Sequence, residues 1–296
     1  MRFQFIDENQ ADYGIRLMCR LMQVSASGYY AWRKRSPSKR AEEDADLEKE
    51  IIKIHEQSHE IYGYRRIHQA LRELGKKVSR RRVARLMRRL QRQGRQYRRY
   101  VVTTKPGKRL PDVPDRLQRK FEVPKPNKAW VSDITYIRTG QGWLYLAVIL
   151  DLFSRRVVGW SMAPTLSQEL TLMALRMALQ SRRPLTGLIH HSDRGSQYTS
   201  HDYQLLLQGH QVQPSFGKVG DCFDNAVAES FFGSLKSEWL YFQRFHTRQQ
   251  AMTSIFYYIE SFYNRQRRHS ALGYLSPLAF EQAALNHNDL SYLNVH

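Results

Sequence analysis

The sequence predicts an α/β fold: a mixed five-stranded sheet with flanking helices, preceded by an all-α region built from helix-turn-helix units. Three observations carry this. Between Trp130 and Gly159 three β-rich runs follow one another, broken by turn chemistry such as Gly140-Gln-Gly142. Beyond them, helical and strand patterns alternate. Before residue 100, apolar residues recur at helical spacing while positive charge fills the other faces.

From the amino end, residues 10–22 carry Ile15, Leu17, Met18, Leu21 and Met22 at helical spacing. Ser25 or Ser27 is the candidate N-cap of a second short helix through Tyr29, Tyr30 and Trp32 to Arg33-Lys34-Arg35. This makes a first helix-turn-helix candidate over residues 1–40, with an ordinary helical hairpin as the bland alternative. Residues 41–58 form a charged helix with Leu47, Ile51, Ile52 and Ile54 as its stripe. Tyr62-Gly63-Tyr64 interrupts. A helix then runs from about Arg65 to Leu74, Gly75 closes it, and Ser79 caps the next through Leu90. That pair is a second helix-turn-helix candidate within residues 41–100.

The block 61–100 holds fifteen lysines and arginines against one acid, Glu73. It is interleaved with Ile67, Leu71, Val83, Leu86 and Met87, so it folds and presents its cations on the faces left over. Residues 101–125, with Pro106, Gly107, Pro111 and Pro114, read as an extended basic linker. A domain boundary near 125 leaves 126–296 as a unit expected to keep its fold alone.

In that unit the first strand carries Asp133 between apolar neighbours. The run Leu144 to Leu150 is apolar throughout, as in a strand buried on both faces. Ser167 to about Arg182 is an amphipathic helix. Gly187 to Asp193 is a strand ending in a carboxylate, and Ser200 to Gln208 a helix. Val212 to Phe216 is a short strand, Gly217 to Asp221 a loop, and Asp224 to Tyr241 a helix. Thr247-Arg-Gln-Gln250 is a capping box opening a long aromatic helix to about Arg265, and Ser276-Pro277 starts a final one.

Lysine plus arginine total 47 against 27 acids, a net charge of +20. Such a balance points to a polyanionic partner, nucleic acid first and an anionic membrane second. No apolar run of eighteen residues and no signal-peptide pattern is present, so a cytoplasmic protein is expected. Cys19 and Cys222 make neither a disulfide framework nor a zinc site. His55 and His59, four apart on a helix, are expected at the surface rather than on a metal. Within the basic block, Arg65, Arg66, Arg80, Arg81, Arg82 and Arg85 are the candidate DNA contacts.

Three acids stand out: Asp133 in the first strand, Asp193 ending the fourth, and Glu229 on the helix from Asp224. Carboxylates converging on one point repel unless cations are present, and hard oxygen ligands suit Mg²⁺ or Mn²⁺. Two such ions are the standard device for in-line attack on a phosphodiester. Among rivals, Asp151 reads as a turn or structural carboxylate, Asp224 as an N-cap, and Asp221 as a loop acid able to approach a metal. Lys236 lies two turns beyond Glu229 on nearly the same face, placed to meet a DNA phosphate.

These acids, with thirty-five residues between Asp193 and Glu229, resemble the DDE core of retroviral integrases and bacterial transposases. Trp130-Val-Ser-Asp-Ile-Thr-Tyr, His191-Ser-Asp-Arg-Gly-Ser-Gln-Tyr198 and Asp224-Asn-Ala-Val-Ala-Glu carry the match. With Tyr62-Gly-Tyr-Arg-Arg-Ile-His68 and Arg268-His-Ser-Ala-Leu-Gly-Tyr274, nearly the whole chain resembles the OrfB subunit of IS3-family insertion-sequence transposases. Where that family often carries Asn, this chain has Asp221. The resemblance implies an RNase H-like core, two divalent ions, and cleavage followed by strand transfer at the terminal inverted repeats. It also implies double-stranded element and target DNA as substrates, assembly as an oligomer on DNA, and an OrfA partner or fusion. A DNA-binding regulator with a silent core and a nuclease without strand transfer are the competing expectations.

Overall fold

The computed structural model of the chain describes residues 1–95, 123–217 and 226–293. β1 (Ala129–Thr139) and β2 (Gly142–Asp151) form an antiparallel hairpin in unbroken register from Trp130↔Asp151 to Thr139↔Gly142. β3 (Val157–Ala163) continues the meander on the far side of β2. β4 (Ile189–Ser192) and β5 (Gln213–Phe216) add parallel to β1, giving the order β3-β2-β1-β4-β5. This is the mixed five-stranded sheet that the sequence predicts.

Period-two alternation divides β2 between two cores. Leu144, Leu146, Val148 and Leu150 join one core with α9 (Ala226–Glu238) and α10 (Arg248–Phe256). Ala147 and Ile149 join the other with α7 (Gln168–Arg182) and α8 (His201–Gly209). A strand covered on both faces has no polar side to show, which accounts for its uniform apolarity. A Cβ on Gly159 would collide with the Ala174 carbonyl and with Ala178, so α7 rests directly on the β3 backbone.

The amino-terminal helices form a small core of their own around Ile6, Met18, Cys19 and Tyr29. They are α1 (Arg2–Glu8), α2 (Ile15–Leu21) and α3 (Ala26–Arg33). α1 has no counterpart in the sequence reading, and the helix expected from residue 10 begins only at Ile15, after Gly14 as its N-cap. Ser25 caps α3 by accepting the Gly28 N–H at 3.0 Å. α4 (Lys39–Gln57), α5 (Tyr64–Glu73) and α6 (Arg80–Arg89) follow as expected. Gly75, at φ +76°, takes the left-handed turn after α5, and Ser79 caps α6 by accepting the Arg82 N–H at 3.2 Å.

The boundary near 125 does not separate two cores. Ile51, Ile61, Tyr62, Ile67 and Leu71 belong to the same cluster as Ile259 and Phe262 of the carboxy-terminal half. The Tyr62 hydroxyl donates to the Gln266 carbonyl at 2.8 Å and accepts the Arg268 N–H at 2.9 Å. The proposed linker lies outside the described residues up to position 122. His55 is not a surface residue, and His59 is half-buried. His55 is buried with Nε2 3.2 Å from the Gln93 carbonyl oxygen. The His59 ring sits edge-on to Trp239 and Phe262, at 5.0 and 5.5 Å. Apolar partners more than a hundred residues away along the chain hold His59 in.

The long aromatic helix also differs from its sequence reading. Its capping box is present, but after α10 the backbone widens into a π-helix over Tyr257–Tyr263. The widened turn buries Tyr258, Ile259, Phe262 and Tyr263 together. It also delivers Asn264 to the sheet edge, where Oδ1 accepts the Val157 N–H and Nδ2 donates to the Val157 carbonyl, both at 3.0 Å. One side-chain amide thus satisfies edge backbone on β3. α11 (Pro277–Leu293) starts with proline in its first turn, as read from the sequence. No helix among the described residues is long and apolar enough to cross a membrane.

Candidate active site

The parallel ladder between β1 and β4 runs to the pair Val131↔His191. Two residues further along each chain stand Asp133 and Asp193. β4 ends at Ser192 while β1 continues, so Asp133 stays inside a strand and Asp193 falls just past one. Each carboxylate is oriented by nearby backbone: Asp133 Oδ1 accepts the Ile134 N–H at 2.7 Å, and Asp193 Oδ1 accepts the Gly195 N–H at 3.0 Å. By alternation Asp133 shares the face of Val131 and Ile137, the face that α9 covers. Glu229 lies in the first turn of α9, and Lys236 in its last.

The electrostatics tie these groups together. The Asp133 carboxyl is pushed up to about 7, first by loss of solvation and then by the charge of Asp193, with a further push from Glu229. The Ile134 N–H and Lys236 act against that rise. Desolvation raises Asp193 and Glu229 as well, and the Gly195 N–H partly offsets it at Asp193. Burial lowers the Lys236 ammonium while the Asp133 charge supports it. Lys236 Nζ lies 5.2 Å from the Tyr136 ring centroid, a cation–π contact across the edge of β1.

Among the described residues no three His, Cys, Asp or Glu side chains stand close enough to hold a metal ion together. The donor set nevertheless fits a hard divalent cation. Desolvation raises all three carboxyls, the charges of Asp193 and Glu229 raise Asp133 further, and a cation would stabilise their ionised forms.

The rival acids have other work. Asp151 is fully buried, accepts the N–H groups of Asn127 and Phe153 at 2.7 and 2.9 Å, and pairs with Arg182 at 3.4 Å. It is a turn carboxylate. Asp221 and Asp224 lie outside the described residues. Glu238 is buried between two arginines, with Arg267 binding both its oxygens at 2.6 Å and Arg66 3.3 Å away. The sequence reading gave Glu238 and Arg267 no role and offered Arg66 as a DNA contact, because nothing in the spacing of the three marks them as partners.

The candidate DNA contacts divide. Arg66 is spent on Glu238. Arg82 pairs with Asp44 at 2.7 Å and with Glu43 at 3.2 Å, and Arg85 with Asp44 at 2.6 Å. These three are not the free cations the sequence reading made them: α9 supplies Glu238 to Arg66, and α4 supplies acids opposite Arg82 and Arg85 on α6. Arg65 is exposed beside the Tyr64 hydroxyl, at 3.2 Å. Arg80 and Arg81 are exposed with no ion pair among the described residues, and so is Arg88.

Comparison with known proteins agrees with this architecture. An integrase core domain model matches residues 123–222 and a second one residues 210–277, while an HTH-like domain model matches 41–100. The "Insertion element IS600 uncharacterized 31 kDa protein" of Shigella sonnei is 46% identical over 265 residues, 90% of this chain and 97% of that one. "Transposase InsF for insertion sequence IS3A" of Escherichia coli is 39% identical over 287 residues, 96% of this chain and 100% of that one. Among solved structures, the simian T-cell lymphotropic virus intasome aligns with a TM-score of 0.47 at 14% identity, covering 78% of this chain and 74% of that one. The HTLV-2 integrase catalytic core domain in complex with magnesium aligns with a TM-score of 0.41 at 17% identity, covering 53% and 97%.

Proposed function

The chain belongs to the family of insertion-sequence IS3 transposases, and from that premise we propose that Asp133, Asp193 and Glu229 are its cleavage and strand-transfer site. The observation that supports this is the rise of the Asp133 carboxyl caused by the charges of Asp193 and Glu229, with Asp133 and Asp193 each two residues beyond the last β1–β4 pair. Mg²⁺ or Mn²⁺, two per site, would be held by these three carboxylates. Bound there, the metal supplies charge neutralisation and Lewis-acid activation of the attacking and leaving oxygens.

The residues of the chain itself do the rest. The Ile134 and Gly195 N–H groups fix the carboxylate orientations before substrate arrives. The Lys236 ammonium, restrained over Tyr136, binds the phosphate next to the one cut. Water first frees a 3′-hydroxyl at the element end, and that hydroxyl then attacks a second phosphodiester, with no covalent protein–DNA intermediate. The α5–α6 unit holds duplex DNA through Arg65, Arg80, Arg81 and Arg88. An OrfA-type partner and a second copy of the chain complete the assembly on DNA.

The test is a labelled duplex carrying a terminal inverted repeat, incubated with the full chain and Mg²⁺ and resolved by strand. Joined products longer than the input support transposition. Products that are only hydrolysed mark a nuclease instead, and binding without cleavage marks a silent core.

A further inference from the structure

The β1–β2 hairpin carries an exposed aromatic pair, of which the site described above uses only Tyr136, as a restraint on Lys236. Tyr136 and Trp143 meet edge to face with ring centroids 5.1 Å apart. They are 46% and 45% exposed. Both lie on the part of the hairpin that runs past the end of β4, at strand positions alternate to Asp133, and it is Lys236 of α9 that links the Tyr136 ring to the acids. Tyr136 is three residues beyond Asp133, a rise of roughly 10 Å along the strand.

The surroundings of the pair are basic. Lys236 Nζ sits 5.2 Å from the Tyr136 centroid, and its charge also acts on Asp133. Arg138, opposite Trp143 in register, is exposed and carries no ion pair among the described residues. Arg248 Nε donates to the Trp143 carbonyl at 3.0 Å, which brings a third cation to the same edge. Exposed ring faces bordered by cations match one chemistry well: a nucleobase on a phosphate backbone. Every base offers a π-face, so such a surface holds a strand without reading its sequence. Two rings ringed by charge are a poor seat for an apolar protein surface, which calls for a larger continuous patch.

We propose that Tyr136 and Trp143 form a stacking platform for an unpaired base of the strand cut at Asp133, Asp193 and Glu229. Lys236 binds the phosphate that joins the stacked nucleotide to the reacting one. The platform keeps the end of the duplex open, so that the scissile phosphate reaches the acids free of its complementary strand. This rests on the strand-cleavage reading of the acids.

The test uses the full chain and a forked duplex with a few unpaired nucleotides at one end, 2-aminopurine replacing each unpaired base in turn. A fully paired duplex of the same sequence is the reference. Stacking on an aromatic ring quenches 2-aminopurine. Wild type should quench one position of the fork and bind the fork about tenfold more tightly than the paired duplex, the scale of one base–aromatic stack. Tyr136→Leu and Trp143→Leu should each abolish the quenching and remove the preference for the fork, whereas Tyr136→Phe, which keeps a ring, should retain both. Thermal melts establish that each variant is folded. Quenching that survives both leucine substitutions overturns the proposal. Equal loss of affinity for both DNAs also overturns it, because it marks structural damage. A changed oligomeric state with unchanged quenching makes the pair a self-association surface and overturns it too. Cleavage of the paired duplex by wild type in Mg²⁺ is scored separately. Its absence counts against the acids, and loss of quenching counts against the platform alone.

Discussion

Asp133 and Asp193 stand the same two residues beyond the pair Val131↔His191, one still in its strand and the other just past it. Asp133 is therefore placed by strand pairing, and Asp193 by the loop in which it accepts the Gly195 N–H. The neutral isosteres Asp133→Asn and Asp193→Asn, and Glu229→Gln on α9, keep shape and lose charge. Each is expected to lower cleavage and strand transfer by more than the roughly 10–100-fold that loss of an outer metal partner costs, with DNA affinity retained. Wild-type turnover in any one variant removes that residue from the site.

Divalent metal binding should depend on pH around neutrality. With its carboxyl at about 7, Asp133 is partly protonated there and must release that proton to become a ligand. Mg²⁺ affinity is expected to climb as pH rises from 6 to 8, with proton release visible by calorimetry in buffers of different ionisation enthalpy. In Asp133→Asn the proton release should vanish. A pH-independent affinity in wild type would contradict this.

Arginines that look alike in the basic block should behave differently. Arg81 is exposed and unpaired among the described residues, while Arg82 is bound to Asp44 and Glu43. Arg81→Gln should reduce the slope of log affinity against log salt by about 0.9 and leave stability unchanged. Arg82→Gln should instead lower the melting temperature, because it strips the buried Asp44 of a partner. Equal salt slopes for wild type and Arg81→Gln would take Arg81 out of the DNA interface.

Acid should loosen the hold of α11 on the sheet. Burial would raise the Glu281 carboxyl. The hydrogen bonds and charge of Arg182, with Ser154 and Arg156, outweigh that and hold it below the usual range. A depressed folded pKa gives stability that is full above the unfolded value, about 4.3, and is lost as pH falls through the folded one. Wild type should therefore lose stability below pH 4 more steeply than Glu281→Gln. At pH 7 that variant should itself be about 3 kcal/mol less stable, since it removes the buried carboxylate that Arg182 and Arg156 share. Urea midpoints across pH measure both.

Much of this was legible in the sequence, for local reasons. A β-rich run closed by Gly140-Gln-Gly142 and an all-apolar run announced β1 and β2, and Asp133 and Asp193 stood out as charges at strand positions. Ser25, Ser79 and Thr247 capped where their side chains predict. What the sequence hid was non-local. Arg82 finds Asp44 thirty-eight positions away, and Arg267 finds Glu238 across twenty-nine, so neither pair leaves a spacing to read. His59 looked like a surface histidine because Trp239 and Phe262, which cover it, lie in the other half of the chain. The π-helix stayed invisible because α and π pitches are built from the same aromatic and aliphatic residues.

That fragment 126–296 should stand alone follows from the chain boundary but not from the shared core. Cutting before residue 126 strips Tyr62 from Gln266 and Arg66 from Glu238. The fragment is expected to be less stable than 41–296 by several kcal/mol, judged by the cost of breaking one buried ion pair. Chemical denaturation of the two fragments compares them directly. Equal midpoints would mean that α4–α6 contribute nothing to the carboxy-terminal core.

The π-helix over Tyr257–Tyr263 fixes the rotational phase of everything that follows it. An extra residue in a helix turns the downstream chain by about 100°, so these seven residues act as an angular offset written into the backbone. Deleting one of them would let the segment relax to ordinary α pitch without loss of helix. The two contacts set by the offset would then break together: Asn264 would leave Val157, and Arg267 would swing away from Glu238. Length is therefore conserved information in this stretch in a way that side-chain identity is not. A single-residue deletion here should be worse tolerated than most substitutions within it.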